Sequence, residues 1–407
     1  MVPARLDKIG SERLLAAMIW IGFVVSLAGI LVISKKNLPL GLICGALLLG
    51  LFTLPVSSIW DRIVFTVTDS QIILLALAMG IIPILGGSMK ESGQVDAIVN
   101  NVRLSKRWML PFSASLMGLL PMPGGALLSA PIVEKAGEGV SGLLKAVINN
   151  WFRHLFILIY PLNSALIVAT QIFGIDLYRA IVYILPGFAA ALILGYVFML
   201  RKVHGRAEHH GSFSAAALAV PLTVILAAPV LDFALKRLFH IGSLATLIGV
   251  AVGLSLSVVL SRGRLDLVGI ARRMKPWNFA LIIIGMFLYL HIFQASGAGD
   301  MIATIPLPPL LLAATAGFFL AVLTGRVQLP ASIVLPIYLA SGQPVSYLIF
   351  TLIYIAIYFG YVMSPVHPCL VVTCEYFRVP IRAMIGHLLA PTAVLFFGVI
   401  AIIVIFF

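Results

Sequence analysis

The chain has 407 residues, of which 61% are hydrophobic and only 10% are charged. Soluble domains carry about 25% charged residues, so this composition excludes a soluble globular protein and predicts about ten membrane spans of about 20 residues each. The net charge of +13 comes mostly from residues that flank apolar runs, where it sets orientation in the membrane. We therefore expect lipid, and no nucleic acid, as a partner.

The first half of the sequence, residues 1–200, predicts five membrane crossings and one hairpin. In chain order we expect spans near 14–33, 38–57 and 71–87, a hairpin at 108–138, a broken span at 143–172 and a last span at 178–200. The hairpin is predicted because two runs too short to cross are joined by Pro121-Met122-Pro123-Gly124-Gly125, which cannot continue a helix. Such irregular backbone is tolerated at membrane depth only inside protein or beside water.

The second half repeats the first after a polar linker at residues 201–214. Within 215–407 we expect spans near 215–232, 241–260 and 277–295, a hairpin at 307–340, a broken span at 346–374 and a last span at 384–406. The motif Ser92-Gly93-x-x-Asp96-x-Ile98 returns about 204 positions later as Ser296-Gly297-x-x-Asp300-x-Ile302. An odd number of crossings per copy turns the copies upside down relative to each other. The predicted architecture is an all-α polytopic membrane protein of two inverted five-span repeats, which is typical of secondary transporters.

The distribution of basic residues predicts the orientation. Most of the 27 Lys and Arg residues fall on the side opposite the N-terminus, and that side also holds the 201–214 linker. The positive-inside rule makes it the cytoplasmic side. Both termini are then extracytoplasmic, and the protein lies in the inner (plasma) membrane.

Two helix breaks carry the strongest prediction of a binding site. Tyr160-Pro161-Leu162-Asn163-Ser164 interrupts one span, and Ser364-Pro365-Val366-His367-Pro368-Cys369 interrupts its counterpart. A broken helix exposes amide N–H groups that attract anions and carbonyls that hold Na⁺. The competing interpretation is that the prolines only kink the two spans.

Arg326 is the most informative single residue. It lies at the tip of the second hairpin, about 22 Å from the point of entry, where a charge is costly and functional by default. Its planar guanidinium suits a carboxylate or another oxyanion, although it would also serve to cap helix carbonyls. Asn150, Arg153 and His154 lie on the first broken span and are secondary candidates, with a structural role equally open.

The other titratable residues and the motifs of the sequence limit which coupling ions, enzymes and cofactors can be expected. His367 is a hypothetical proton carrier because its unperturbed pKa is near neutrality. None of the 14 acidic residues is predicted at mid-depth, and Asp176, Asp232 and His240 are assigned to loops. The sequence contains no hydrolase, zincin or nucleotide-binding motif, so we expect neither an enzyme nor a cofactor. The spacing of His367, Cys369 and Cys374 does not predict a metal site.

The first hairpin tip and the run Asn149-Asn150-Trp151-Phe152-Arg153-His154 resemble an uncharacterised family of prokaryotic integral membrane proteins in the ion transporter superfamily. That superfamily includes citrate, gluconate, C4-dicarboxylate and divalent-anion/sodium carriers. The resemblance implies a homodimer that works by an elevator mechanism. It also implies a site lined by Pro123, Gly124, Gly125, Asn163, Ser164, Thr324, Gly325 and Ser364.

The hairpin tips depart from that family pattern. Dicarboxylate carriers present Ser-Asn-Thr, whereas these tips read Pro-Gly-Gly-Ala and Thr-Gly-Arg-Val. This departure leaves Na⁺ and H⁺ both open as coupling ions. We therefore predict an ion-coupled carrier of a small anion. A cation/proton antiporter is the alternative, and an anion channel is the alternative from another functional class.

Overall fold

The structure, a computed structural model, describes residues 3–119, 125–205, 214–261, 263 and 265–407. These residues form α-helices and short 3-10 turns and contain no strand. Seven of the helices are long and apolar enough to cross a membrane, or eight if one bent pair counts as a single span. The prediction of an all-α, multi-pass membrane protein is confirmed at this level.

Ten helices precede the linker. They are α1 (Pro3–Ile33), α2 (Leu38–Thr53), α3 (Val56–Thr68), α4 (Ser70–Glu91), α5 (Gln94–Asn101), α6 (Lys106–Leu119), α7 (Gly125–Ala136), α8 (Gly142–Leu155), α9 (Ser164–Phe173) and α10 (Leu177–Phe198). The predicted hairpin segment is occupied by α6 and α7. The predicted broken span is occupied by α8 and α9.

Ten helices also follow the linker. They are α11 (Ala215–Phe239), α12 (Gly242–Val259), α13 (Leu267–Met274), α14 (Pro276–Ala295), α15 (Ala298–Ala303), α16 (Pro309–Thr324), α17 (Gln328–Ala340), α18 (Tyr347–Val362), α19 (Pro368–Phe377) and α20 (Ile381–Phe406). Helices α16 and α17 occupy the second predicted hairpin segment. Helices α18 and α19 occupy the second predicted broken span.

Four short helices (α3, α5, α13 and α15) have no counterpart in the sequence prediction, which is tuned to runs of about 20 apolar residues. The predicted span 38–57 ends early, at Thr53, because Leu54 precedes Pro55 and cannot easily stay helical. Helices α5 and α15 each begin after a glycine of the repeated motif. Gly93 has φ +72° and Gly297 has φ +71°, so the two copies make the same left-handed turn.

The helices pack in two groups, each drawn from both halves of the chain. The first group contains α1–α5 and α11–α15, with α2 against α14 and α4 against α12. The second contains α6–α10 and α16–α20, with α7 against α19 and α9 against α17. The largest helix–helix contacts occur in matching pairs whose helix numbers differ by ten. For example, α1 packs against α2 as α11 packs against α12, and α6 packs against α8 as α16 packs against α18. Helix α14 also packs against α17 and α9, which joins the two groups beside the broken helices.

The assignment of Asp232 to a loop is wrong. Helix α11 continues to Phe239, and the Asp232 carboxylate is fully buried within it. Thr246 donates to it at 2.6 Å, Tyr178 donates to it as well, and Lys236 lies 2.9 Å away. The carboxylate therefore links α10, α11 and α12. Asp176 and His240 lie at helix ends, where Asp176 caps α10 and His240 ends α11.

Candidate functional site

Asn163 stabilises the first helix break by hydrogen bonds to the backbone before and after it. After α8 ends, a 3-10 turn leads to Tyr160-Pro161-Leu162, and the chain bends by 42° before α9 begins. The Asn163 Oδ1 atom accepts from the Ala165 N–H at 3.1 Å and so caps α9. Its Nδ2 atom donates to the Ile157 carbonyl at 3.0 Å and to the Tyr354 hydroxyl at 3.3 Å. One side chain thus satisfies backbone groups on both sides of the break.

At the second break, His367 makes one of the two kinds of backbone contact that Asn163 makes at the first. This residue is the N-cap of α19, and its Nδ1 atom lies 3.1 Å from the Tyr361 carbonyl. Asn163 and His367 occupy equivalent positions in the two copies, and so do Ile157 and Tyr361. Each side chain bonds a carbonyl six residues before it. At positions that the predicted repeat aligns, the same backbone contact is therefore made by an amide at the first break and by an imidazole at the second.

The tip of the second hairpin lies against the second break. Gly325 ends α16 with φ +61°, and a Cβ atom on it would lie 2.8 Å from the His367 nitrogen. Only glycine allows both this left-handed conformation and this close approach. On the other side of the tip, Gln328 donates to the Ser164 hydroxyl at 3.4 Å. The tip therefore touches both broken helices.

A cavity of about 450 Å³ opens where these elements meet. The half-buried Arg326 lines it from the hairpin tip, and Arg153, only 4% exposed, lines it from α8. Asn163 and Ser164 line it from the first break, and Phe279 lines it from α14. No aspartate or glutamate is among the described residues that line the cavity. The described lining of the cavity therefore contains two guanidinium groups and no carboxylate.

The backbone around Arg153 is tightly fixed. Gly118 of α6 packs so closely that a Cβ atom on it would lie 1.9 Å from the Arg153 carbonyl oxygen. Tyr358 of α18 donates to the His154 carbonyl at 2.6 Å, and Asn150 donates to the Val362 carbonyl at 3.0 Å. Because α6, α8 and α18 are joined here, the backbone from which the Arg153 side chain enters the cavity wall is firmly held.

The cavity brings together most of the predicted site residues that the structure describes. Those that line it are Arg153, His154, Asn163, Ser164, Gly325, Arg326 and His367. Thr324 and Ser364 are not among the lining residues, and their hydroxyl groups donate to the carbonyls of Leu320 and Val322. Asn150 lies behind the wall, between α8 and α18. Pro123 and Gly124 lie outside the described residues, and Gly125 is the first residue of α7.

A cluster of His154, His367 and Cys369 also faces this cavity. One ligand atom of each lies within 4.8 Å of the others, and the two imidazole centroids are 4.6 Å apart. Both histidines are 1% exposed. Sequence spacing missed this cluster because His154 comes from the first half of the chain. The sequence does hold one signal for this cluster, the alignment of the two helix breaks. If the two broken spans meet at one site, His154 of the first lies near His367 and Cys369 of the second.

Comparisons with known proteins agree with the fold. The chain is similar to the crystal structure of the Alcanivorax borkumensis YdaH transporter, with a TM-score of 0.52 and 13% identity over 94% of this chain and 97% of that chain. At this identity the likeness shows the fold alone. No curated protein sequence matches the chain. Kinship with the ion transporter superfamily stays a prediction, because neither the family match nor this structure names it. A family model described as a protein of unknown function, DUF401, matches residues 17–405, and the chain therefore belongs to the DUF401 family.

Proposed function

We propose that this protein is a secondary transporter of a small anion, either an organic carboxylate or an inorganic oxyanion. The observation that carries the proposal is the cavity between the two helix breaks, which holds Arg153 and Arg326 but no described acidic residue. The Arg326 guanidinium lies in a partly desolvated site where negative charge is stabilising, and its planar donors, like those of Arg153, fit carboxylate or oxyanion geometry. An anionic cargo supplies that charge each time it binds.

The transport mechanism that we propose is alternating access of the elevator type. Helices α6–α10 and α16–α20 would move as one body against α1–α5 and α11–α15. Three observations support this idea: the two packing groups, the contact pattern that recurs with a shift of ten helices, and the cavity wall supplied by Phe279 of α14. We also propose that transport is coupled to Na⁺ or H⁺, that the protein forms a homodimer and that it lies in the inner membrane.

The cation/proton antiporter has less support. It needs a carboxylate in the cavity to exchange a cation for a proton, and the buried Asp232 lies outside the cavity with Lys236 at 2.9 Å. An antiporter would respond to a cation gradient with no anion present. An anion channel would pass current faster than any carrier turns over and would show no countertransport.

The first test is thermal stabilisation of the purified protein by a panel of anions. The panel would hold mono-, di- and tricarboxylates, sugar acids, sulfate, phosphate and arsenite, each with and without Na⁺. A ligand specific for the folded state stabilises it by about 2.7 kcal/mol at a hundredfold excess over Kd. We expect at least one anion to raise the melting temperature of the wild type, and its Na⁺ dependence to identify the coupling ion.

The variant Arg326→Gln tests the site within the same assay. We expect it to lose the anion-dependent shift while its melting temperature without ligand stays near that of the wild type. Arg382→Gln is the matched control, because Arg382 is exposed on α20 and lies away from the cavity. Stabilisation that persists in Arg326→Gln would refute the assignment. Stabilisation by Na⁺ or pH alone, with no anion effect, would favour the antiporter.

A further inference from the structure

We infer that His154, His367 and Cys369 form a binding site for a thiophilic d¹⁰ metal ion, Cu⁺ or Zn²⁺. Two imidazole nitrogens and one thiol are the ligand set that such ions prefer. Their ligand atoms already lie within 4.8 Å of one another. The inference does not depend on the proposed anion transport, because it rests on a different group of side chains.

The hydrogen bonds fix which nitrogen of each imidazole faces the cluster. The Nδ1 atom of His154 lies 2.6 Å from the Asn150 carbonyl, and that of His367 lies 3.1 Å from the Tyr361 carbonyl. A carbonyl oxygen only accepts, so each Nδ1 carries the hydrogen and each Nε2 presents a lone pair. Metal-ligating histidines are oriented in this way, with the other ring N–H donated to a carbonyl.

The three side chains offer two imidazole lone pairs but only one thiol hydrogen. The Cys369 Sγ atom lies within 4.8 Å of a ring nitrogen of each imidazole. A thiol has one hydrogen and can donate to one Nε2 lone pair, which leaves the other lone pair without a donor from this trio. A metal ion satisfies both nitrogens at once. It takes the place of the thiol proton, which is released to solvent as the thiolate binds.

The dimensions suit a metal ion after small side-chain movements. Bond lengths of about 2.0 Å to nitrogen and about 2.3 Å to sulfur place tetrahedral ligand atoms about 3.5 Å apart. The observed limit of 4.8 Å exceeds this by little more than 1 Å. Cys369 is the second residue of α19, directly after the break, and rotation about its side-chain bond moves Sγ relative to the two imidazoles.

The charge of the site favours Cu⁺. One thiolate and two neutral imidazoles give a net charge of zero with Cu⁺ and of +1 with Zn²⁺. Arg153 and Arg326 line the same cavity, and burying another positive charge beside them is costly. Zn²⁺ with three protein ligands would also keep one coordination position open towards the cavity. The two ions therefore make separate arms of one test.

The test is metal binding by the full-length protein in detergent. Purified protein is titrated with Cu⁺ under reducing conditions, or with Zn²⁺, each against a competing chelator, and bound metal is counted by mass spectrometry. We expect one ion per chain, with the Cu⁺ arm tighter. X-ray absorption should show one sulfur and two nitrogen ligands.

Two variants each remove one metal ligand, and a third variant is the control. Cys369→Ser removes the sulfur. His367→Asn copies Asn163 of the other copy, so it keeps the contact with the Tyr361 carbonyl but loses the metal ligand. We expect both to weaken binding by more than the roughly 10–100-fold that losing an outer-shell partner costs. Cys374→Ser, in the same helix but outside the cluster, should bind as the wild type does.

Binding of either ion that depends on Cys369 and His367 supports the site and shows which ion it prefers. Three results would overturn the inference: no bound metal in either arm, equal binding by Cys369→Ser and the wild type, or a loss in Cys374→Ser as large as in Cys369→Ser. Because His367→Asn preserves the backbone contact, a folded variant is available even if Cys369→Ser proves unstable.

Discussion

Gly325 is the residue at which the second hairpin touches the second helix break. Its φ of +61° is a left-handed conformation that costs other residues about 1 kcal/mol, and its Cα faces the backbone of Val366 and His367. The position of Arg326, the next residue, depends on this contact. The guanidinium is thus placed in the cavity by backbone geometry rather than by a charged partner.

We expect Gly325→Ala to weaken anion binding strongly, because a Cβ atom 2.8 Å from the His367 nitrogen must push the hairpin tip away. The control is Gly342→Ala. Gly342 has φ +67°, but nothing lies within 4 Å of its Cβ position, so this variant suffers the backbone strain alone. Anion-dependent melting shifts of the two variants provide the comparison. Equal shifts would show that the close approach is unimportant.

At the scale of residues, sequence reasoning found features that are local in the chain. Arg326 was predicted because a charge inside an apolar hairpin is visible in a single window. Asn163 and His367 were found because proline and polar residues mark the breaks. The proximity of Arg153 and Cys369 in one cavity is not predictable from a local pattern, because it depends on α8 packing beside the second break.

Among the helices, the link between α10, α11 and α12 depends on one buried carboxylate. Asp232 accepts from Tyr178 and Thr246 and lies beside Lys236. Tyr178 belongs to the second packing group, whereas Asp232 and Thr246 belong to the first. The carboxylate therefore contributes to the contact between the two packing groups in this conformation.

We expect Asp232→Asn to lower the free energy of unfolding by about 3 kcal/mol, because it removes the charge from a buried pair and disturbs three hydrogen bonds. Glu91→Gln is the control, since the ion pair of Glu91 with Arg273 is partly exposed and should contribute about 0–1 kcal/mol. Chemical unfolding in detergent measures both. A cost for Asp232→Asn no larger than that of the control would contradict the structural role.

The length of an apolar run predicts the long helices well and the short helices poorly. Long apolar helices such as α10 and α20 were predictable because hydrocarbon thickness dictates their length. Helices α3, α5, α13 and α15 were not, because short helices between spans leave only a weak pattern. Asp232 was misplaced for a related reason: the polar residues near the end of α11 look like a loop, but tertiary partners extend the helix.

For the whole molecule, orientation in the membrane follows from the basic residues. The prediction places the linker on the cytoplasmic side and both termini outside. With the native cysteines replaced by serine, we expect an impermeant maleimide to label a cysteine added after Phe407 in intact cells. It should label Lys202→Cys only after the cells are opened. Lys36→Cys is the control on the cytoplasmic side, and the reverse pattern would invert the topology.

Asn163 and His367 lie at aligned positions of the two helix breaks but differ in their chemistry. Each side chain contacts the backbone carbonyl six residues before it. An amide is inert, whereas an imidazole exchanges protons and binds metals. Because both residues line the same cavity, its two sides offer different chemistry to a bound ligand: an amide at the first break and an imidazole at the second.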